Sequence, residues 1–240
     1  MGGGAWSWKP QREAFSQSYR VFVWEARGHG NGARVDDAGV DDYYTDAREA
    51  LAAVLDDARR PAVLVGHSLG GLLAIRLACD VAAGEAGLFL IEPGYGIFGK
   101  TPLAFATPLL APIAEALTGA TLRTSFARTF ENRARMEEAW PHQAGQVPFE
   151  YPRVFRDAIA GAKGFQVRDF AKDIHDPTFL LQGSRVPITV RRGIRRLAET
   201  LRAHLGEDFH HETVPGGHYL QLDAPDTVNS LLRRFLEKRP

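Results

Sequence analysis

One pentapeptide constrains this 240-residue chain more than any other feature: Gly66-His67-Ser68-Leu69-Gly70, followed by Gly71. It stands between a short apolar, β-rich run, Ala62–Val65, and an apolar stretch that opens at Leu69. A strand that turns at once into a helix needs a sharp, strained bend, and a side chain two residues either side would collide with it. Gly66 and Gly70 are expected to relieve that crowding. Ser68 then stands at the carboxyl edge of a sheet, with the first amides of the following helix aimed at the same spot. A serine held this way is placed to act as a nucleophile.

The rest of the chain supplies the sheet. Tyr19–Ala26, Ala62–His67, Gly87–Glu92 and Thr178–Gly183 are nearly continuous in hydrophobicity, as strands covered on both faces should be. A fifth run, Asp208–Val214, alternates. Helical patterns separate them. Val40–Arg59 carries a stripe of Tyr43, Ala47, Ala50, Leu51, Val54 and Leu55. Leu69–Ala83 is apolar nearly all round, while Ile188–Leu205 and Asp226–Lys238 are amphipathic. This alternation predicts an α/β fold with a mostly parallel, doubly wound sheet. About 85 residues between Glu92 and Thr178 break the rhythm and read as helices around Leu103–Leu117, Leu122–Glu138 and Tyr151–Ala160. We expect residues 94–169 to form a helical cap on the sheet's carboxyl edge, and 1–93 with 170–240 to form the core.

Lys plus Arg and Asp plus Glu both count 29, so no general basic footprint for nucleic acid or anionic lipid exists. Cys79 is the single cysteine, which removes a disulfide framework or a Cys-built zinc site. No run of about 18 apolar residues suggests a membrane span. The amino terminus lacks a basic region followed by an apolar run, and Trp6 stands where a myristoylation signal needs Ser or Thr. The expectation is a cytoplasmic protein. Gly28-His29-Gly30-Asn31-Gly32 lacks the G-x-G-x-x-G spacing of a dinucleotide loop, and no cofactor is called for.

A serine hydroxyl needs a base. His218, in Pro215-Gly216-Gly217-His218-Tyr219, lies in a glycine-rich loop between the last strand and the last helix, which returns it to the carboxyl edge. His29 and His67 sit in tight turns and read as structural. His210 and His211 point to opposite faces of a strand, and His142, His175 and His204 have no partner pattern. His218 is the expected base.

Gly66–Gly71, the turn Arg27-Gly28-His29-Gly30 and the pair Gly217-His218 together resemble the α/β-hydrolase superfamily, in its cap-bearing serine esterase branch. The resemblance covers nearly the whole chain except the cap. Gly2-Gly3-Gly4-Ala5-Trp6-Ser7-Trp8 is similar to that family's His-Gly-Gly-Gly oxyanion loop and the helix after it. The resemblance implies an oxyanion hole formed by the amides of Gly3 and Leu69. It also implies a third triad member, usually an Asp after the strand that here reads Thr178–Gly183. Gly183-Ser184-Arg185-Val186-Pro187-Ile188 holds no carboxylate, and Asp169, Asp173 and Asp176 precede that strand. Asp223 follows His218 too closely to orient it. Some family members carry the acid one strand earlier, where Glu92 stands here; its alternative is a strand-end Glu that binds a loop amide.

A second departure concerns the sheet. Met1 occupies the place of the family's His, and the resemblance puts a further strand between those starting at Tyr19 and Ala62. The fold is thus expected to lack its first three strands, with residues missing upstream or with those two strands pairing directly. Without the intervening strand two central edges would be unpaired.

The activity implied is hydrolysis of carboxylic esters of small to medium size through an acyl-enzyme on Ser68, in a monomer or homodimer. C–C bond or lactone hydrolysis by the same residues, or an inactive ligand-binding protein, are the alternatives. Ser68 in place of Asp argues against the dehalogenase and epoxide hydrolase branches. In the cap, Phe126, Phe130 and Trp140 are expected mainly to pack it onto the core. Arg123, Arg128, Arg133 and Arg135, interleaved with Glu131, Glu137 and Glu138, read as a solvated face.

Overall fold

The computed structural model describes residues 3–32, 39–58, 62–82, 84, 86–94, 119–145 and 170–238. Its strands are β1 (Ala62–His67), β2 (Ala86–Ile91), β3 (Thr178–Gly183) and β4 (Phe209–Val214). Its helices are α1 (Lys9–Phe15), α2 (Val40–Ala58), α3 (Leu69–Ala78), α4 (Gly119–Ala127), α5 (Arg133–Gly145), α6 (Ile188–Leu205), α7 (Leu220–Asp223) and α8 (Pro225–Glu237). A single 3-10 turn, Ala5–Trp8, leads into α1.

The four strands form one parallel sheet in the order β1-β2-β3-β4. β2 and β3 are buried throughout, as their unbroken apolar sequences require. Their side chains alternate between two cores. Leu88, Leu90 and Leu180 pack with Leu72 and Ile75 of α3 and with Ile194, Leu197 and Leu201 of α6. Phe89, Ile91, Phe179 and Leu181 pack on the other face with Phe15 of α1 and with Val228, Leu231, Leu232 and Phe235 of α8. Helices therefore cover both faces, and the sheet is doubly wound. The i, i+3, i+4 spacing of the buried residues in α6 and α8 is what lets each lie flat on it. Among the described residues no helix is long and apolar enough to cross a membrane.

Three expectations are corrected. Tyr19–Ala26 belongs to no strand, and Tyr19, Val21, Phe22 and Trp24 are exposed. β propensity becomes a strand only when a neighbouring edge comes within hydrogen-bonding distance. Here a cavity of about 1080 Å³ lies between that segment and β1, walled by Val21, Val23 and Trp24 on one side and by Val63, Val65 and Leu73 on the other. Direct pairing of the two segments does not occur. β1 is consequently half-buried, unlike β2 and β3. For scale, one six-residue strand fills roughly 950 Å³ at the usual strand and sheet spacings.

The second correction is that Leu122–Glu138 is not one helix: α4 ends at Ala127 and α5 starts at Arg133. The third is that α3 stops at Ala78, five residues early, with Cys79 as its cap residue. Burial, together with Asp173, pushes the Cys79 thiol up to about 12, so it remains a neutral packing group. The helices expected at Leu103–Leu117 and Tyr151–Ala160 lie outside the described residues.

Candidate active site

Strand register brings the candidate residues to one edge. His67 pairs with Ile91, Ile91 with Leu181, and Gly183 with Val214. Ser68, Glu92, Ser184 and Pro215 therefore all leave the sheet at its carboxyl end, where ligands bind in open α/β sheets. Among the described residues two non-glycine residues have positive φ: Ser68 at 53° and Glu92 at 44°. Each costs about 1–3 kcal/mol and persists only because its surroundings over-determine it. Ser68 N–H donates to Ile91 O at 3.1 Å, and Ser68 O accepts from Gly71 and Gly94 N–H at 3.0 Å. Glu92 N–H donates to Leu181 O at 2.9 Å. The two strained residues thus hang from neighbouring strand ends, Ser68 stitched to β2 and Glu92 to β3.

The glycines divide differently from expectation. A Cβ on Gly66 would sit 2.5 Å from Gly70 O and 2.7 Å from Gly71 Cα. On Gly71 it would sit 2.9 Å from Pro93 Cβ, whereas on Gly70 it would meet nothing within 4 Å. The bend needs Gly66 and Gly71, not Gly70. Gly66→Ala should destabilise the fold by about 2–3 kcal/mol while Gly70→Ala is tolerated, measured by thermal unfolding. Equal melting temperatures in the two variants would contradict this packing.

Glu92 is fully buried. Its Oε1 accepts a short hydrogen bond from Gly183 N–H. Its Oε2 is buried with no hydrogen-bond partner among the described residues, and lies 3.6 Å from His218 Nδ1. Both readings of this residue therefore describe part of it: one oxygen holds a loop amide and the other faces the imidazole. Gly183 makes room for the His218 loop, since a Cβ there would be 2.6 Å from the carbonyl oxygens of Gly216 and Gly217.

His67, immediately before Ser68, was read from sequence only as structural, and its contact could not be foreseen. Its Nε2–H donates to the carbonyl of His218 at 2.8 Å, and its ring lies 4.7 Å from the His218 ring and 5.0 Å from Tyr219. Burial, then the neighbouring His218, hold His67 well below the ordinary imidazole range. Burial lowers His29 and His211 as well. Unfolded, each would titrate near about 6.5. Between the folded and unfolded values the unfolded chain binds more protons. Stability is therefore fully present above about pH 6.5 and is lost as pH falls below it. The loss should approach about 1.4 kcal/mol per pH unit for each group protonated only on unfolding. Melting temperature should decline from pH 6.5 towards 5, and His67→Gln should flatten that decline; an unchanged slope in the variant would count against it.

The amino-terminal segment is tied in from a distance. Ala5 N–H donates to Glu25 Oε1 at 2.7 Å, and Glu25 Oε2 accepts from Asn31 N–H at 3.1 Å. Gly3 and Leu69 share the wall of the cavity beside β1, together with His67 and Gly70. Leu69 is the first residue of α3, so its N–H has no acceptor within the helix. Ser68 and His218 are not on that cavity's wall. On the other side of His218, Tyr219 packs with Phe126, Phe130, Met136 and Trp140. The arginines of α4 and α5 pair locally, Arg123 and Arg133 with Glu137 and Arg135 with Glu138, as a solvated face should. Among the described residues no group of three His, Cys, Asp or Glu side chains could hold a metal ion.

Comparison with known proteins agrees with this architecture. The model of the alpha/beta hydrolase family matches residues 1–231. A Variovorax paradoxus protein that carries the name carbamate hydrolase RutD is 37% identical over 94 residues, 38% of this chain and 35% of that one. Epoxide hydrolase 3 of Xenopus tropicalis is 25% identical over 97% of this chain and 68% of its own. The chain therefore spans about a third of the first relative's length and two thirds of the second's. Among solved structures, a hydrolase from Pseudomonas aeruginosa PA01 superposes with a TM-score of 0.76 at 21% identity, covering 98% of this chain and 86% of that one. Est816, titled an N-acyl homoserine lactone degrading enzyme, gives 0.73 at 23% identity, covering 98% and 90%. With a doubly wound parallel sheet, a strained serine between strand and helix, and a family match over nearly its whole length, this chain belongs to the alpha/beta hydrolase family.

Proposed function

We propose that the protein is a serine hydrolase that cleaves carboxylic esters of small to medium size. Ser68 Oγ attacks the ester carbonyl, His218 takes its proton and returns it to the leaving alcohol, and water then releases the acyl group from Ser68. Glu92 accepts from His218 Nδ1–H, which leaves Nε2 as the base. The amides of Leu69 and Gly3 stabilise the oxyanion. The observation that carries this reading is the strained backbone at both Ser68 and Glu92, with the free oxygen of Glu92 turned to His218. At 3.6 Å that contact is longer than a hydrogen bond, as such contacts often are before substrate binds.

Lactones are cyclic esters that the same attack would open, which fits the lactone-degrading activity for which the structural neighbour Est816 is named. A fluorophosphonate probe, with the modified residue read by mass spectrometry, tests the assembly directly. Labelling confined to Ser68 is the expected result. Absence of labelling in a folded sample, with ligand binding retained, would replace the enzyme with a binding protein.

A further inference from the structure

One carboxylate ties the loop that carries His218 to the α4–α5 bend. Asp223 closes α7 and is 7% exposed. Its Oδ2 accepts from Gly217 N–H at 2.7 Å and from Glu131 N–H at 2.8 Å; its Oδ1 accepts from Asn132 N–H at 2.7 Å. Three amide donors thus converge on one charge, one of them next to His218 and two at the α4–α5 bend. The same two segments meet elsewhere. Tyr219 N–H donates to Thr129 O at 3.3 Å, and the Phe130 and Tyr219 rings stack at 5.4 Å. The approach is close enough that a Cβ on Gly217 would lie 2.1 Å from Thr129 O.

We propose that Asp223 is a positioning residue that couples the α4–α5 bend to His218 and so sets the distance between His218 and Glu92. The inference rests on the reading of His218 as the base. Glu92 is fixed by strand ends, and Ser68 by the turn. The position of the imidazole, by contrast, follows the backbone at Gly217 and His218, whose partners are Asp223 and His67. A carboxylate suits this task because it accepts at both oxygens; an amide offers one acceptor and would turn N–H groups towards an N–H donor. A rearrangement of residues 129–132 is therefore passed to the base through Asp223, with the Phe130–Tyr219 stack beside it.

The test compares Asp223→Asn with Asp176→Asn. Asp176 is a second buried carboxylate that accepts backbone N–H groups, from Gly84 at 2.9 Å and Ala86 at 3.4 Å, at the opposite end of the sheet. Fluorophosphonate labelling is measured per folded molecule, with the folded fraction taken from circular dichroism. Turnover of p-nitrophenyl acetate separates kcat from KM. The far-downfield proton resonance of His218 Nδ1–H reports the contact with Glu92. Asp223→Asn should label about 10- to 100-fold more slowly, with lower kcat, unchanged KM and a weakened or shifted resonance, as a displaced base requires. Asp176→Asn should lose stability and keep the wild-type rate per folded molecule.

Phe130→Leu, which removes the stack on Tyr219 from the other side, should shift the labelling rate in the same direction. It carries the test if Asp223→Asn does not fold. Wild-type labelling and resonance in the folded Asp223 or Phe130 variant would overturn the coupling while leaving the enzyme reading intact. Equal losses in the Asp176 variant would overturn it too. An unlabelled wild type would remove both.

Discussion

Replacing Ser68 with alanine is expected to lower ester turnover by about 10⁴-fold or more and to abolish fluorophosphonate labelling, with the fold unchanged. Without the hydroxyl, the proposed base and oxyanion amides have nothing to act on. Ser68→Gly adds a second readout of opposite sign. Glycine adopts φ 53° without the penalty serine bears, so this variant should be inactive yet more stable. The gain should be about 1–3 kcal/mol, or several degrees in melting temperature. Turnover within tenfold of wild type in Ser68→Ala would remove Ser68 from the mechanism. A Ser68→Gly variant that melts lower would show that the backbone at the turn is not under tension.

Glu92→Gln should lower turnover by about 10³- to 10⁴-fold with the fold retained. One oxygen of Glu92 already accepts from Gly183 N–H. If the glutamine carbonyl takes over that bond, its amide N–H₂ faces His218 Nδ1 and forces the tautomer whose Nε2 bears the proton. If the amide turns round, its N–H₂ opposes Gly183 N–H and the loop is pushed away. Either orientation costs the base its function. Near wild-type rates would mean that Ser68 and His218 work as a dyad. Asp176 could not then take over, because its carboxylate serves Gly84 and Ala86 at the amino end of the sheet.

The parts of the fold that were legible in sequence are those in which local pattern and global packing agree. β1, β3 and α6 have the boundaries their hydrophobic periods imply, because each is flanked by turn residues; β3 and α6 are also buried on the expected faces, while β1 is only half-buried. Tyr19–Ala26 has the composition of a strand, but composition cannot supply a partner, and here β1 is too far away to be one. The break in Leu122–Glu138 contains neither Pro nor Gly; it forms where Asp223, some ninety residues away, takes the amides of Glu131 and Asn132 out of helical bonding. Distant contacts of that kind leave no local signal. The same holds for His67, whose bond to the His218 carbonyl spans 151 positions. Among the candidate residues, Ser68 and His218 stand out in sequence through their glycine context, and Glu92 through its place at a strand end with no carboxylate in Ser184–Pro187. Its positive φ, the feature that most sets it apart, was invisible in sequence.

That vacancy in Ser184–Pro187 has a structural consequence. If Glu92 at the end of β2 is the acid proposed beside Ser68 at the end of β1, two of the three candidate groups sit on one hydrogen-bonded ladder, and their spacing follows from the sheet. The connection from β3 to α6 then supplies no carboxylate, and its Arg185 N–H holds Gly216 O of the His218 loop at 3.1 Å. Side-chain substitutions at Ser184 and Arg185 should leave the reaction intact, as long as Gly183 still fits beneath Gly216 and Gly217 and the Arg185 amide still reaches Gly216. The Arg185 side chain also reaches across from that connection to Glu131 at 3.1 Å, joining it to the α4–α5 bend that Asp223 holds.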